Sequence, residues 1–257
     1  MSTLMMASLA TLVFCAPGYP GAAGDAQPYV DQFAKAAAAS AHWSAGSLAA
    51  VYDPTEEGGL KKLGDPEAVL AFVPFPFFVK HGAELHLTPL AQADMVDIGP
   101  KERWTLVAKT GGVTEPESLA GYTLVSVAGY APEFVRRYAL GSWSLPADLK
   151  IEYTGQILSA LRRVAAGEKV VALLDQTQAA ALATLPFAAQ LKPIAQSAPL
   201  PVALLATVGS RLPAARVRAL REGLLKSGTV GSAEALAPLH LRGFAPPELP
   251  AQSKTAP

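Results

Sequence analysis

Cysteine is nearly missing from this sequence. Cys15 is the single one in 257 residues, so no internal disulfide can form and the redox compartment stays unread. Charge is sparse as well: 16% of residues, with 21 basic and 21 acidic side chains cancelling to zero. That balance offers no basic field to nucleic acid or to an anionic membrane surface. No run reaches the roughly 18 apolar residues of a membrane span. The strongest, VLAFVPFPFFV (69–79), is short and carries two prolines, and reads as a buried strand with its exit loop. Catalytic signatures are missing too, with no G-x-S-x-G, H-E-x-x-H, P-loop or strand-anchored G-x-G-x-x-G. His81 and His86 stand five apart, off the i,i+4 spacing of two ligands on one helical face, and no metal or other cofactor is expected.

What the sequence has is apolar material and alternation. Hydrophobic residues make up 51%, enough for a large core. Apolar strands at 11–16, 48–52 and 68–73 alternate with helices at 26–43 and 56–64. The pattern restarts with strands at 119–128, 150–154 and 169–174 around helices at 131–140 and 155–167. Such alternation predicts an α/β protein with mainly parallel sheets flanked by helices.

The two halves also match residue by residue. An ungapped shift of 101 places Tyr52 on Tyr153, Leu60 on Leu161, Glu67 on Glu168 and Ala71 on Ala172. At a slightly different offset LVFCAPGYP (12–20) resembles LVSVAGYAP (124–132). A domain-sized period predicts two similar lobes. The expected division is 11–102 with 203–240 as lobe one and 103–202 as lobe two, the two crossings making a double-strand hinge. Residues 1–10 read as a candidate signal remnant, with Ser8 and Ala10 spaced as at a cleavage site, although no Lys or Arg precedes Lys35. Residues 244–257 read as a loose, Pro-rich tail. Cys15 reads as a buried strand residue.

In open α/β sheets ligands bind beyond the carboxyl ends of the strands. This rule selects Tyr19 after the first strand, Tyr52 and Asp53 after the second, and Pro76 and Phe77 in the Pro/Phe loop. In lobe two it selects Ser126, Tyr130, Asp175, Gln176 and Thr177. Two of these carry strong structural alternatives: Asp53 as a turn former, and Asp175 as the N-cap of the following helix.

The phrases EEGGLKKLGDPEAVLAFVPFPFFVKHG (56–82), RWTLVAKTGGVTEPESLAGYTLVSVAGYAPEF (103–134) and SALRRVAAGEKVVALLDQTQAAAL (159–182) carry a family resemblance. Over roughly 11–240 the chain resembles the type II periplasmic binding proteins, in the phosphonate/sulfonate/transferrin-like branch of ABC-transporter solute receptors. The resemblance implies a soluble, periplasmic, monomeric receptor that captures a small molecule between its lobes and presents it to a transporter permease. It matches Asp175 to the family's cleft Asp. One departure stands out: the hydroxyl-rich run of phosphonate-binding members is VAGYAPEF here, which puts a phosphonate ligand in doubt. The alternatives are an enzyme of cofactor biosynthesis on the same fold and a receptor-like sensor domain.

Overall fold

The computed structural model describes residues 9–19, 23–226 and 233–251. Residues 1–8 of the candidate signal remnant and 252–257 of the tail lie outside them.

The chain runs β1 (Ala10–Cys15), α1 (Ala23–Ser40), β2 (Leu48–Asp53), α2 (Glu56–Leu63), β3 (Ala68–Pro74), α3 (Phe75–His81) and β4 (Leu87–Met95). It continues through β5 (Lys101–Glu102), β6 (Thr105–Lys109), β7 (Thr123–Ser126) and α4 (Pro132–Phe134), which carries on as a π-turn over Val135–Ala139. Then come β8 (Lys150–Tyr153), α5 (Ile157–Ala166), β9 (Val170–Leu174), α6 (Gln176–Ala181) and β10 (Leu191–Gln196). The last elements are β11 (Leu200–Pro201), β12 (Ala203–Val208), α7 (Ala214–Leu225), α8 (Ala233–Leu236) and β13 (Leu241–Ala245).

Helices form where apolar residues repeat at helical spacing. In α1, Val30, Phe33, Ala34, Ala37 and Ala38 form one buried stripe. In α5, Ala160, Leu161, Val164 and Ala165 do the same, and Gly167 ends the helix at φ +90°, where a side chain would be strained. The strand after it, β9, is buried along its whole length, as expected of a strand covered on both faces.

Two sheets result, in the orders β13-β4-β12-β3-β1-β2 and β10-β6-β9-β7-β8. Both contain a parallel trio, β2-β1-β3 and β8-β7-β9. Both are extended by antiparallel strands, β12 with β4 and β6 with β10. The alternation of the sequence describes the parallel trio. The antiparallel part arises because β6 and β12 enter just after the chain has crossed between the sheets, so each lobe is a mixed sheet flanked by helices. The crossings themselves pair as a two-stranded ladder, Glu102 opposite Leu200 and Lys101 opposite Pro201.

The ladders carry the internal repeat. Phe14 pairs with Tyr52 and Phe72 in the first sheet, and Ser126 pairs with Tyr153 and Leu173 in the second. Once Phe14 is set on Ser126, both flanking strands fall on the 101-residue shift. Two independent registers agree, which a chance resemblance between apolar strands would not produce.

The termini are better tied than composition suggests. Ala10 opens β1 and is buried, paired with Leu48. Beyond β13, the Glu248 amide donates to Gln92 Oε1 at 3.0 Å, and Lys101 Nζ reaches Glu248 Oε2 at 2.5 Å. The segment 244–248 is therefore docked, because its backbone and one carboxylate find partners on β4 and β5. Among the described residues no helix is long and apolar enough to cross a membrane.

Candidate functional site

The two loops that follow β1 and β7 meet at the junction of the lobes. A Cβ built on Gly18 would lie 2.9 Å from the Val127 carbonyl oxygen and 3.0 Å from its Cβ. Gly18 also sits at φ +86°, so glycine is required there twice over. The closeness of this approach brings the side chains beside it, Tyr19 and Tyr130, into one region.

The phenol of Tyr19 is pushed well above its ordinary pKa, by burial first and then by Glu102, Asp175 and Tyr130. Tyr130 is raised likewise, by burial and then by Cys15, Glu56 and Tyr153. Its hydroxyl is buried without a hydrogen-bond partner. Its ring packs edge-on to Tyr153 at 6.4 Å, with Lys80 Nζ 5.8 Å from the ring centre.

Two carboxyl groups lie near enough to Tyr19 to act on its phenol. Asp175 is 6% exposed and caps α6: Oδ1 accepts the Gln178 N–H at 2.8 Å, and the Asp175 N–H donates back to Gln178 Oε1 at 3.2 Å. Burial raises its pKa, while the N–H groups of Gln178 and Thr177 pull the other way. Glu102 is 2% exposed. Its Oε2 faces the Gln176 N–H at 3.5 Å. Burial, and then the neighbouring Asp175, push it up to about 8, against the pull of the Gln176 N–H and the Trp104 indole N–H. Gln176 Oε1 accepts the Arg103 N–H at 3.1 Å, tying α6 to the chain just past β5.

Tyr19, Tyr130, Asp175 and Gln176 are thus brought together. Thr177 is exposed, next to Asp175. Five other candidates are placed elsewhere. Tyr52 is half-buried against the α1-side core, and its amide donates to Gln27 Oε1 at 3.3 Å. Asp53 spends its carboxylate on Thr55, on the amide at 2.9 Å and the hydroxyl at 2.7 Å, and on Lys62. Burial works to raise its pKa, but these contacts outweigh it and hold the group below the usual range. Its turn-forming role is the one the geometry displays. Ser126 is fully buried, and its hydroxyl accepts the Ala128 N–H at 3.1 Å, closing a local turn.

Pro76 and Phe77 correct an expectation. They lie on helix α3 rather than in a loop, and both are buried. Pro74 and Pro76 occupy its N-cap and first turn, where a missing N–H costs nothing. Helical spacing then splits the phenylalanines. Phe77 and His81 face the first lobe's interior, with ring centres 4.8 Å apart. His81 Nε2 and Lys80 Nζ both hold Glu56 Oε1, at 2.6 and 2.5 Å, linking α3 to α2. Phe75 turns to the second lobe instead, packing on Phe134 at 5.9 Å and Tyr138 at 5.5 Å, and Phe78 packs against both cores.

Sequence reasoning missed Glu102 and Trp104, whose buried indole N–H lies beside the Glu102 carboxyl. The available signal was the position of the acid, on the first crossing segment, shortly before the strand TLVAK. Tyr153 and Lys80 were missed as parts of the aromatic rim.

No protein-family model and no curated protein matches the sequence. Solved structures do match. A binding-protein component of a phosphonate ABC transporter from Pseudomonas aeruginosa is similar at TM-score 0.60 and 18% identity, covering 93% of this chain and 82% of that one. A Xanthomonas citri protein bound to ATP gives TM-score 0.66 at 15% identity, covering 94% and 92%. A Prochlorococcus marinus protein in complex with methylphosphonate gives 0.59 at 13%, covering 96% and 94%. With paired mixed sheets, a double crossing and neighbours of this kind, the chain has the two-lobed fold of the type II periplasmic binding proteins.

Proposed function

We propose that this protein is a solute-binding receptor that captures a small molecule between its lobes and delivers it to an ABC-type importer. The observation that carries the reading is the convergence of Tyr19, Glu102, Tyr130 and Asp175, from four separate segments, on the junction where the lobes meet. The lobes that go with it are 11–102 with 203–240 and 103–202. Periplasmic placement, a monomeric state and a permease partner belong to the same reading, by likeness to the phosphonate-transporter component.

The lining argues about the ligand as well. One of the neighbours binds methylphosphonate. In this chain the second-lobe loop offers Tyr130 in place of hydroxyls, and two carboxyl groups, Glu102 and Asp175, lie near Tyr19. Lys62 and Lys80 are already paired with Asp53 and Glu56. This arrangement favours a ligand with an apolar or aromatic part and a cationic or hydrogen-bond-donating group.

Native mass spectrometry of the purified protein identifies a co-purified ligand, and calorimetry then compares wild type with Asp175→Asn. Asparagine keeps the helix cap but removes the charge. The expected result is weaker binding by roughly 2–5 kcal/mol with an unchanged melting temperature. Unchanged affinity would reduce Asp175 to a helix cap. Failure of any small molecule to bind would overturn the receptor reading itself.

A further inference from the structure

Glu102 occupies an unusual position. It lies on β5, one of the two short strands that cross between the lobes, opposite Leu200 of β11. Its side chain is sealed, with only a long contact from the Gln176 N–H and the nearby Trp104 indole N–H to serve its oxygens. The groups that face it come from three places. Asp175 and Gln176 stand at the β9–α6 junction of the second lobe, Tyr19 comes from the β1–α1 loop of the first, and Trp104 lies two residues on, between β5 and β6.

No cation among the described residues compensates it. Lys101, one residue before, is turned to Glu248 at 2.5 Å, and Arg103, one residue after, donates to the Ser197 carbonyl at 2.8 Å. A buried, unpaired carboxylate beside a second acid is costly, and taking up a proton removes most of that cost.

The seal depends on both lobes. Tyr19 belongs to the first and Asp175 to the second, and beside Tyr19 the β1–α1 loop meets the β7–α4 loop of the second lobe at Gly18 and Val127. Parting the lobes withdraws Tyr19 and admits water to Glu102, where an ionised carboxylate is well solvated. We propose that Glu102 is a proton-operated latch of the hinge, taking up a proton when the lobes close and releasing it when they part.

The sign follows from linkage. In the parted form Glu102 ionises near its ordinary value of 4.5, and in the closed form near 8. The closed form is thus favoured at low pH and loses ground as pH rises through this window, by about tenfold in the closed-to-open ratio per pH unit. Above about 8 both forms are ionised and the ratio levels off. The proposal rests on the two-lobed hinge and not on any ligand, so the failure of the receptor reading would leave it standing.

The test is small-angle X-ray scattering of the ligand-free full chain from pH 5 to 9 at fixed ionic strength. The wild type should expand as pH rises to about 8 and then hold its size. Glu102→Gln should stay compact throughout. A wild type of constant size, or a Gln variant that expands as the wild type does, overturns the proposal. Should Glu102→Gln fail to fold, Asp175→Asn keeps the question open to measurement, since its cap is preserved. Without the neighbouring charge Glu102 ionises earlier in the closed form, so the plateau should arrive at lower pH. A profile superimposable on that of the wild type would count against the latch.

Discussion

Single residues in this protein are fixed by their close neighbours, and the sharpest case is Cys15. Its thiol is buried, donates to the Thr55 carbonyl at 3.6 Å, and is pushed far up by burial and then by Asp53 and Glu56. A thiol reagent should leave it untouched until the protein unfolds. Gly59 packs on it so tightly that an added Cβ would lie 2.0 Å from Sγ. Gly59→Ala should therefore cost about 1–3 kcal/mol in chemical denaturation, despite alanine's better helix propensity. A stabilised Gly59→Ala protein would show that the thiol can move aside. Glu102 makes the opposite kind of prediction. The unfolded chain loses this proton near 4.5 and the folded chain near 8, so the group draws stability down as pH rises between them. Glu102→Gln removes that term. Its melting temperature should exceed that of the wild type by more at pH 8 than at pH 5, and an equal difference at both would contradict the assignment.

At the scale of elements, the parallel trio could be read from the sequence because its strands are long, apolar and separated by turn signals. Three elements could not. The crossing strands β5 and β11 are two residues each, too short for any periodicity to register. Helix α3 was hidden by its own prolines, which signal a loop in isolation but occupy positions at a helix start where no N–H is needed. The site was partly legible for the same physical reason. Strand ends announce Tyr19, Tyr130 and Asp175, whereas Glu102 belongs to a crossing whose partner lies far along the chain. Helix α6 separates the structural and binding roles of Asp175. Its capping box is complete, so Asp175→Ala should lose about 1 kcal/mol of stability and Asp175→Asn close to none. Thermal melts of the pair decide whether the cap acts independently of the charge.

For the molecule as a whole, the repeat generates the function-bearing geometry. Each half ends its parallel strands at the same edge, and the double crossing turns these two edges toward each other. The price is a junction where loops from both halves must approach closely, as Gly18 does against Val127. A side chain there meets the second lobe only when the lobes close. Gly18→Val should therefore hold the lobes apart. Scattering should report a larger radius of gyration, and affinity for the co-purified ligand should fall at least about tenfold, a loss of roughly 1.4 kcal/mol. Strain must be separated from contact, because Gly18 has a positive φ. Gly46 provides the control: it has φ +74° and nothing within 4 Å of an added Cβ. Gly46→Val should carry the same kind of backbone strain and lower the melting temperature, yet leave the radius of gyration and the affinity unchanged. If both variants behave alike, the effect at Gly18 is strain. If Gly18→Val remains as compact as the wild type and binds as tightly, closure does not pass through this contact.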